Sequence, residues 1–71
     1  MKAKTELRVT GLGAPGLVRT VEEDLASVEG VEYAHVNLGA GKVTVEFDDS
    51  VVGVDELLGA VRSAGLEAEQ E

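Results

Sequence analysis

Cysteine is missing altogether from this chain. That single absence excludes disulfide staples, thiolate metal sites and thiol catalysis together. Aromatic side chains are nearly missing too, with Tyr33 and Phe47 alone. The core must therefore be built from Val, Leu and Ala, and there is no set of rings on which RNA bases could stack. No apolar run approaches the roughly 18 residues of a membrane span. The opening stretch MKAKTELRV has a basic start but no apolar segment after it, so it does not read as a secretory signal. Basic residues are scarce: six Lys and Arg stand against fourteen Asp and Glu, a net charge of −8. Such a surface repels nucleic acid and anionic membranes and suits solubility, basic partners or high salt. The expectation is a soluble, cytoplasmic protein with no nucleic-acid or membrane partner.

What is present is regular. At 71 residues the chain is expected to form one domain over 1–71. In TELRVTG, Leu7 and Val9 alternate with Glu6, Arg8 and Thr10, the signature of a half-buried strand. PGLVRTVEEDLASVEG then changes period. Leu17, Val18, Val21, Leu25 and Val28 fall on one helical face, and Glu22, Glu23 and Asp24 lie on or near the other. Pro15 suits the first helical position and Gly30 marks the exit. VEYAHVNL alternates with Ala34, Val36 and Leu38 as its inward set. Its parity clashes with Val31, which places the start of the strand near Tyr33. Gly39 to Gly41 make a tight turn, and KVTVEF follows with Val43, Val45 and Phe47 on one face, completing a hairpin. VDELLGAVRSAG is a second helix with Val54, Leu57, Leu58 and Val61 inward and Gly65 as its stop. LEAE is a short last strand.

The order β-α-β-β-α-β predicts an α+β ferredoxin-like sandwich, a four-stranded antiparallel sheet with two helices on one face. The two β-α-β halves look alike in topology, not in residues.

The turn GLGAPG satisfies G-x-G-x-x-G through Gly11, Gly13 and Gly16. It follows a strand and opens a helix, as a dinucleotide site requires. The context fails: the next strand runs into a hairpin, no acidic residue ends it, Pro15 removes a donor, and the chain is too short. The glycines read instead as a sharp turn, with Leu17 plugging the rim of the core.

LRVTGL, GVEYAHVNLGAGKVTVEFD and VDELLGAVRSAGLEAE carry a resemblance to the heavy-metal-associated domain, the fold of small copper chaperones and of the N-terminal modules of metal-pumping ATPases. It spans residues 4 to 69 without gaps. The family's metal motif is G-M-x-C-x-x-C in the first turn. By this resemblance Gly11 matches the glycine, Leu12 takes the methionine place, and Ala14 and Leu17 take the two cysteine places. Cu(I) wants thiolates, and zinc wants thiolate, imidazole or carboxylate. Ala14 and Leu17 supply neither, so no metal and no cofactor are expected there. Leu66 stands where the family often packs an aromatic.

No serine among Ser27, Ser50 and Ser63 sits in a strained turn beside the single His35, so no catalytic residue is assigned and the chain is not read as an enzyme. The expected role is a non-catalytic module acting through protein contacts, as a monomer or weak dimer. The candidate interaction surface is Glu22, Glu23, Asp24 and Leu12, facing a basic partner. Two alternatives stand beside it: weak non-thiol metal handling through His35, Met1 or carboxylates, and an engineered scaffold of this fold without a ligand.

Overall fold

The computed structural model describes residues 1–11 and 15–70. The elements follow the predicted order: β1 (Lys2–Thr10), α1 (Pro15–Ala26), β2 (Val31–Asn37), β3 (Lys42–Asp48), α2 (Val54–Ser63) and β4 (Glu67–Gln70). The strands form one antiparallel sheet in the order β2-β3-β1-β4. This is the ferredoxin-like arrangement. Among the described residues no helix is long and apolar enough to cross a membrane.

Alternation in the strands and helical spacing in α1 and α2 turn the same residue types toward one layer. Leu7, Val43, Val45, Val21, Leu25, Leu57 and Val61 are wholly enclosed there. Leu17, Val18, Val28, Val54 and Leu58 pack against them half-buried. Phe47 is the one aromatic in the core, and no buried side chain among the described residues is polar.

Two expectations need correcting. The parity clash after Val31 does not delay the strand. β2 begins at Val31, paired with Phe47, and a β-bulge at Glu32 shifts the register so that Tyr33 pairs with Glu46. One extra residue lets Val31 and Ala34 share the inward face. Leu38 does not point inward. β2 ends at Asn37, and Leu38 rides on the hairpin turn, half exposed. There the Leu38 carbonyl accepts from the Gly41 amide at 3.3 Å, and the Gly41 carbonyl accepts from the Val9 amide of β1 at 2.8 Å.

An open sheet leaves two edges that could pair with other chains. Each is met by a charged side chain from the helix that precedes it. Glu22 of α1 accepts the Val36 amide of β2 at 3.1 Å. Arg62 of α2 donates to the Ala68 carbonyl of β4 at 2.9 Å. The two β-α-β halves thus repeat a device as well as a topology.

The end of the sheet away from residue 11 is tied by charge. The Met1 ammonium lies 2.7 Å from an Asp48 carboxylate oxygen and 3.3 Å from one of Asp49. The Met1 ammonium and the Ser50 hydroxyl and amide hold the Asp48 carboxyl well below its ordinary 3.8. Asp48, then Asp49, holds the ammonium above its ordinary 8.0. The carboxylate's contribution is therefore present above about pH 4 and is lost as pH falls through the lowered value. The ammonium's contribution is present below about pH 8 and is lost as pH rises through the raised one. The Tm of the chain should exceed that of its Nα-acetylated form by a margin that is flat between these limits and narrows on both sides. A margin independent of pH would refute the pair as its source.

Candidate functional site

The first turn is the position to test. β1 delivers the chain to Gly11, whose φ of +102° suits glycine. A Cβ there would stand 3.0 Å from the Leu66 Cδ2. Leu66 is buried and packs against Gly11. Leu17, in the first turn of α1, is half-buried against the core. Leu12, Gly13 and Ala14 lie outside the described residues, and so does the Leu12 corner of the candidate surface. The identities of these side chains still decide the chemistry: hydrocarbon offers no lone pair to a metal ion.

The other proposed donors are not brought to this turn. His35 lies on the sheet face away from the helices, its ring stacked on Tyr33 at 6.4 Å between centroids. Register places His35 level with Glu6, two strands and five residues from Gly11, or about 19 Å. Met1 stands at the opposite end of β1, about 30 Å from the turn. Among the described residues no group of three His, Asp or Glu side chains could hold a metal ion.

The three serine hydroxyls are engaged locally. Ser27 donates to the Asp24 carbonyl at 2.7 Å, Ser63 donates to the Gly59 carbonyl at 2.9 Å, and Ser50 donates to the Asp48 carboxylate.

The acidic run on α1 divides into three roles. Glu23 is exposed. Glu22 is half-buried and spends one oxygen on the Val36 amide. Asp24 is half-buried, and its carbonyl takes the Ser27 hydroxyl. The structure brings Glu22 and Glu23 together with Arg19, Glu32, Tyr33 and Ala34 around an open groove of about 670 Å³ between α1 and β2. Helix periodicity could not reveal the Glu22 contact. It depends on which strand forms the sheet edge, which is a property of topology. Replacing Glu22 by Ala is expected to lower stability by about 1 kcal/mol in urea denaturation, because it leaves the Val36 amide without its acceptor. Glu23→Ala should stay within about 0.5 kcal/mol of the parent. Equal effects would show that the Glu22 contact contributes nothing.

Comparison with known proteins bears directly on this turn. The family model described as the heavy-metal-associated domain matches residues 6–67. The chain belongs to the heavy-metal-associated domain family. It is 39% identical over 67 residues to the copper chaperone CopZ of Bacillus subtilis (strain 168), covering 94% of this chain and 96% of that protein. It superposes with a TM-score of 0.93 on the N-terminal domain of a potential copper-translocating P-type ATPase from Bacillus subtilis in its Cu(I)-loaded state. There the identity is 30%, with 99% of this chain and 88% of that one covered. The oxidized MerP structure from Ralstonia metallidurans CH34 gives a TM-score of 0.95 at 27% identity, with coverage of 100% and 99%. The fold of the heavy-metal-associated family is thus kept along the whole described chain. A soft cation cargo does not fit the residues in its first turn: the chain has no thiol, and Leu17 faces the core.

Proposed function

We propose that this chain is a non-catalytic heavy-metal-associated module that has given up thiol metal binding and acts in the cytoplasm by docking on a basic protein partner, as a monomer or weak dimer. One observation carries the reading: the domain is intact, while Leu12, Ala14 and Leu17 occupy the places that the family resemblance gives to methionine and cysteines. A net charge of −8, with Glu23 exposed beside the α1–β2 groove, favours a cationic partner. Complementary charge of this kind sets association rate and salt dependence. Likeness to a copper chaperone and to the N-terminal domain of a potential copper-translocating ATPase supports a role beside metal-transport proteins.

The experiment has two arms. Titration with Cu(I) and with Zn(II), followed by amide shifts in two-dimensional NMR, should give no saturable response. Affinity capture with the purified chain should retain a basic protein that Glu23→Lys releases. Glu23 is the residue to reverse, because Glu22 also supports the sheet edge. Saturable shifts at residues 11 to 18 or around His35 would overturn the reading. So would capture that ignores the sign of residue 23.

A further inference from the structure

The groove beside Glu22 and Glu23 opens onto main chain as well as side chains. β2 is an edge strand. Its Val36 amide points away from β3, to Glu22. Outward-facing main-chain groups recur every second residue along an antiparallel strand, so Ala34 presents its N–H and C=O on the same side. Ala34 also lines the groove. A carboxylate oxygen thus sits where the carbonyl of one more strand would sit.

We propose that this groove receives an extended, basic segment of a partner protein, which pairs along β2 as a fifth strand and takes the Val36 amide over from Glu22. This rests on the docking role proposed above and specifies its geometry. Charge selects the occupant. Glu22, Glu23 and Glu32 line the groove against Arg19 alone, and Lys2 reaches Glu32 from outside it at 3.1 Å. Lysines alternating along an added strand would meet these carboxylates, and the displaced Glu22 becomes one of their partners. A second copy of this chain is rejected by the same charges, because β2-to-β2 pairing sets the three glutamates of one copy against those of the other. The opposite edge is the poorer platform. β4 has four residues against seven in β2, and its Ala68 carbonyl is held by the cationic Arg62.

The test uses a capped peptide of alternating Lys and Val, as long as the seven residues of β2. A control of the same sequence, N-methylated at every residue, keeps the charge and loses every main-chain donor. The unmethylated peptide should bind about tenfold or more tightly than the control, the worth of one or two main-chain hydrogen bonds. It should slow hydrogen exchange at Ala34 and Val36 and give cross-strand NOEs to them. Equal binding of the two peptides, or shifts confined to α1, overturns the added strand and leaves docking on the acidic helix standing. Binding by neither peptide also overturns the added strand, and the Glu23→Lys capture then decides the docking role separately.

Discussion

Replacing Gly30 by Ala should lower the Tm by about 12 °C or more, the effect of roughly 3 kcal/mol in a domain of this size. Two costs meet at this residue. Its φ of +97° lies where side chains with a Cβ are strained. A Cβ there would also stand 2.9 Å from the Cγ1 atoms of both Val51 and Val52. The Val51 Cβ stands 3.0 Å away and moves only with the backbone, and Val52 is 2% exposed and has nowhere to go. The backbone cannot retreat either. The Gly30 carbonyl accepts the Asp48 amide at 2.8 Å, and the Asp48 carbonyl accepts the Val51 and Val52 amides at 3.0 and 3.1 Å. A 71-residue domain holds roughly 4–11 kcal/mol in total, so the loss is a large share.

Two other glycines separate the costs. Gly65 has φ +89° but open space around its Cβ position, so Gly65→Ala should show the backbone cost alone, about 1 kcal/mol. Gly59 lies inside α2 with open space and no positive φ, so Gly59→Ala should raise stability by about 1 kcal/mol through helix propensity. Thermal unfolding of the three variants under one condition ranks them. If Gly30→Ala matches Gly65→Ala, Val52 yields and the crowding argument fails.

Gly30 also shows where the sequence speaks and where it falls silent. Its place after an apolar-periodic run marks a break in the chain, but α1 already ends at Ala26, and Gly30 is the last turn residue before β2. Its crowding is not legible, because Val51 and Val52 are more than twenty residues away and meet it only through the sheet. The same division holds elsewhere. The inward sets of β1, β3, α1 and α2 follow from period, since burial of one face is what period encodes. The broken parity at Val31 was legible as an irregularity, but only pairing with Phe47 and Glu46 identifies it as a bulge. Leu38 misled because alternation counts residues and cannot see the last hydrogen bond of a strand. Glu22 and Arg62 were illegible as edge contacts, since which strands are edges depends on the order β2-β3-β1-β4. At the first turn the sequence offers only side chains without the family's donors, which marks a candidate and not an established site.

That negative reading has a positive counterpart in the double variant Ala14→Cys, Leu17→Cys. It should bind Cu(I) in competition with a chromogenic chelator, whereas the parent chain should not compete. Two thiolates three residues apart beside the start of α1 supply the soft donors that the turn lacks. The helix N-terminus favours the thiolate over the thiol, which helps metal displace the protons. Without metal the variant should be less stable than the parent by about 1 kcal/mol, because Leu17 packs half-buried against the core and cysteine is smaller. With free Cu(I) at a hundred times its dissociation constant, the variant should gain about 2.7 kcal/mol, enough to rise above the parent in Tm. Neither single variant should show the gain, since one thiolate does not close the site, and only Leu17→Cys should show the packing loss. If the double variant folds but fails to compete, more than two ligands separates this turn from a metal loop. Leu66, packed against Gly11, is then the first contact to reverse.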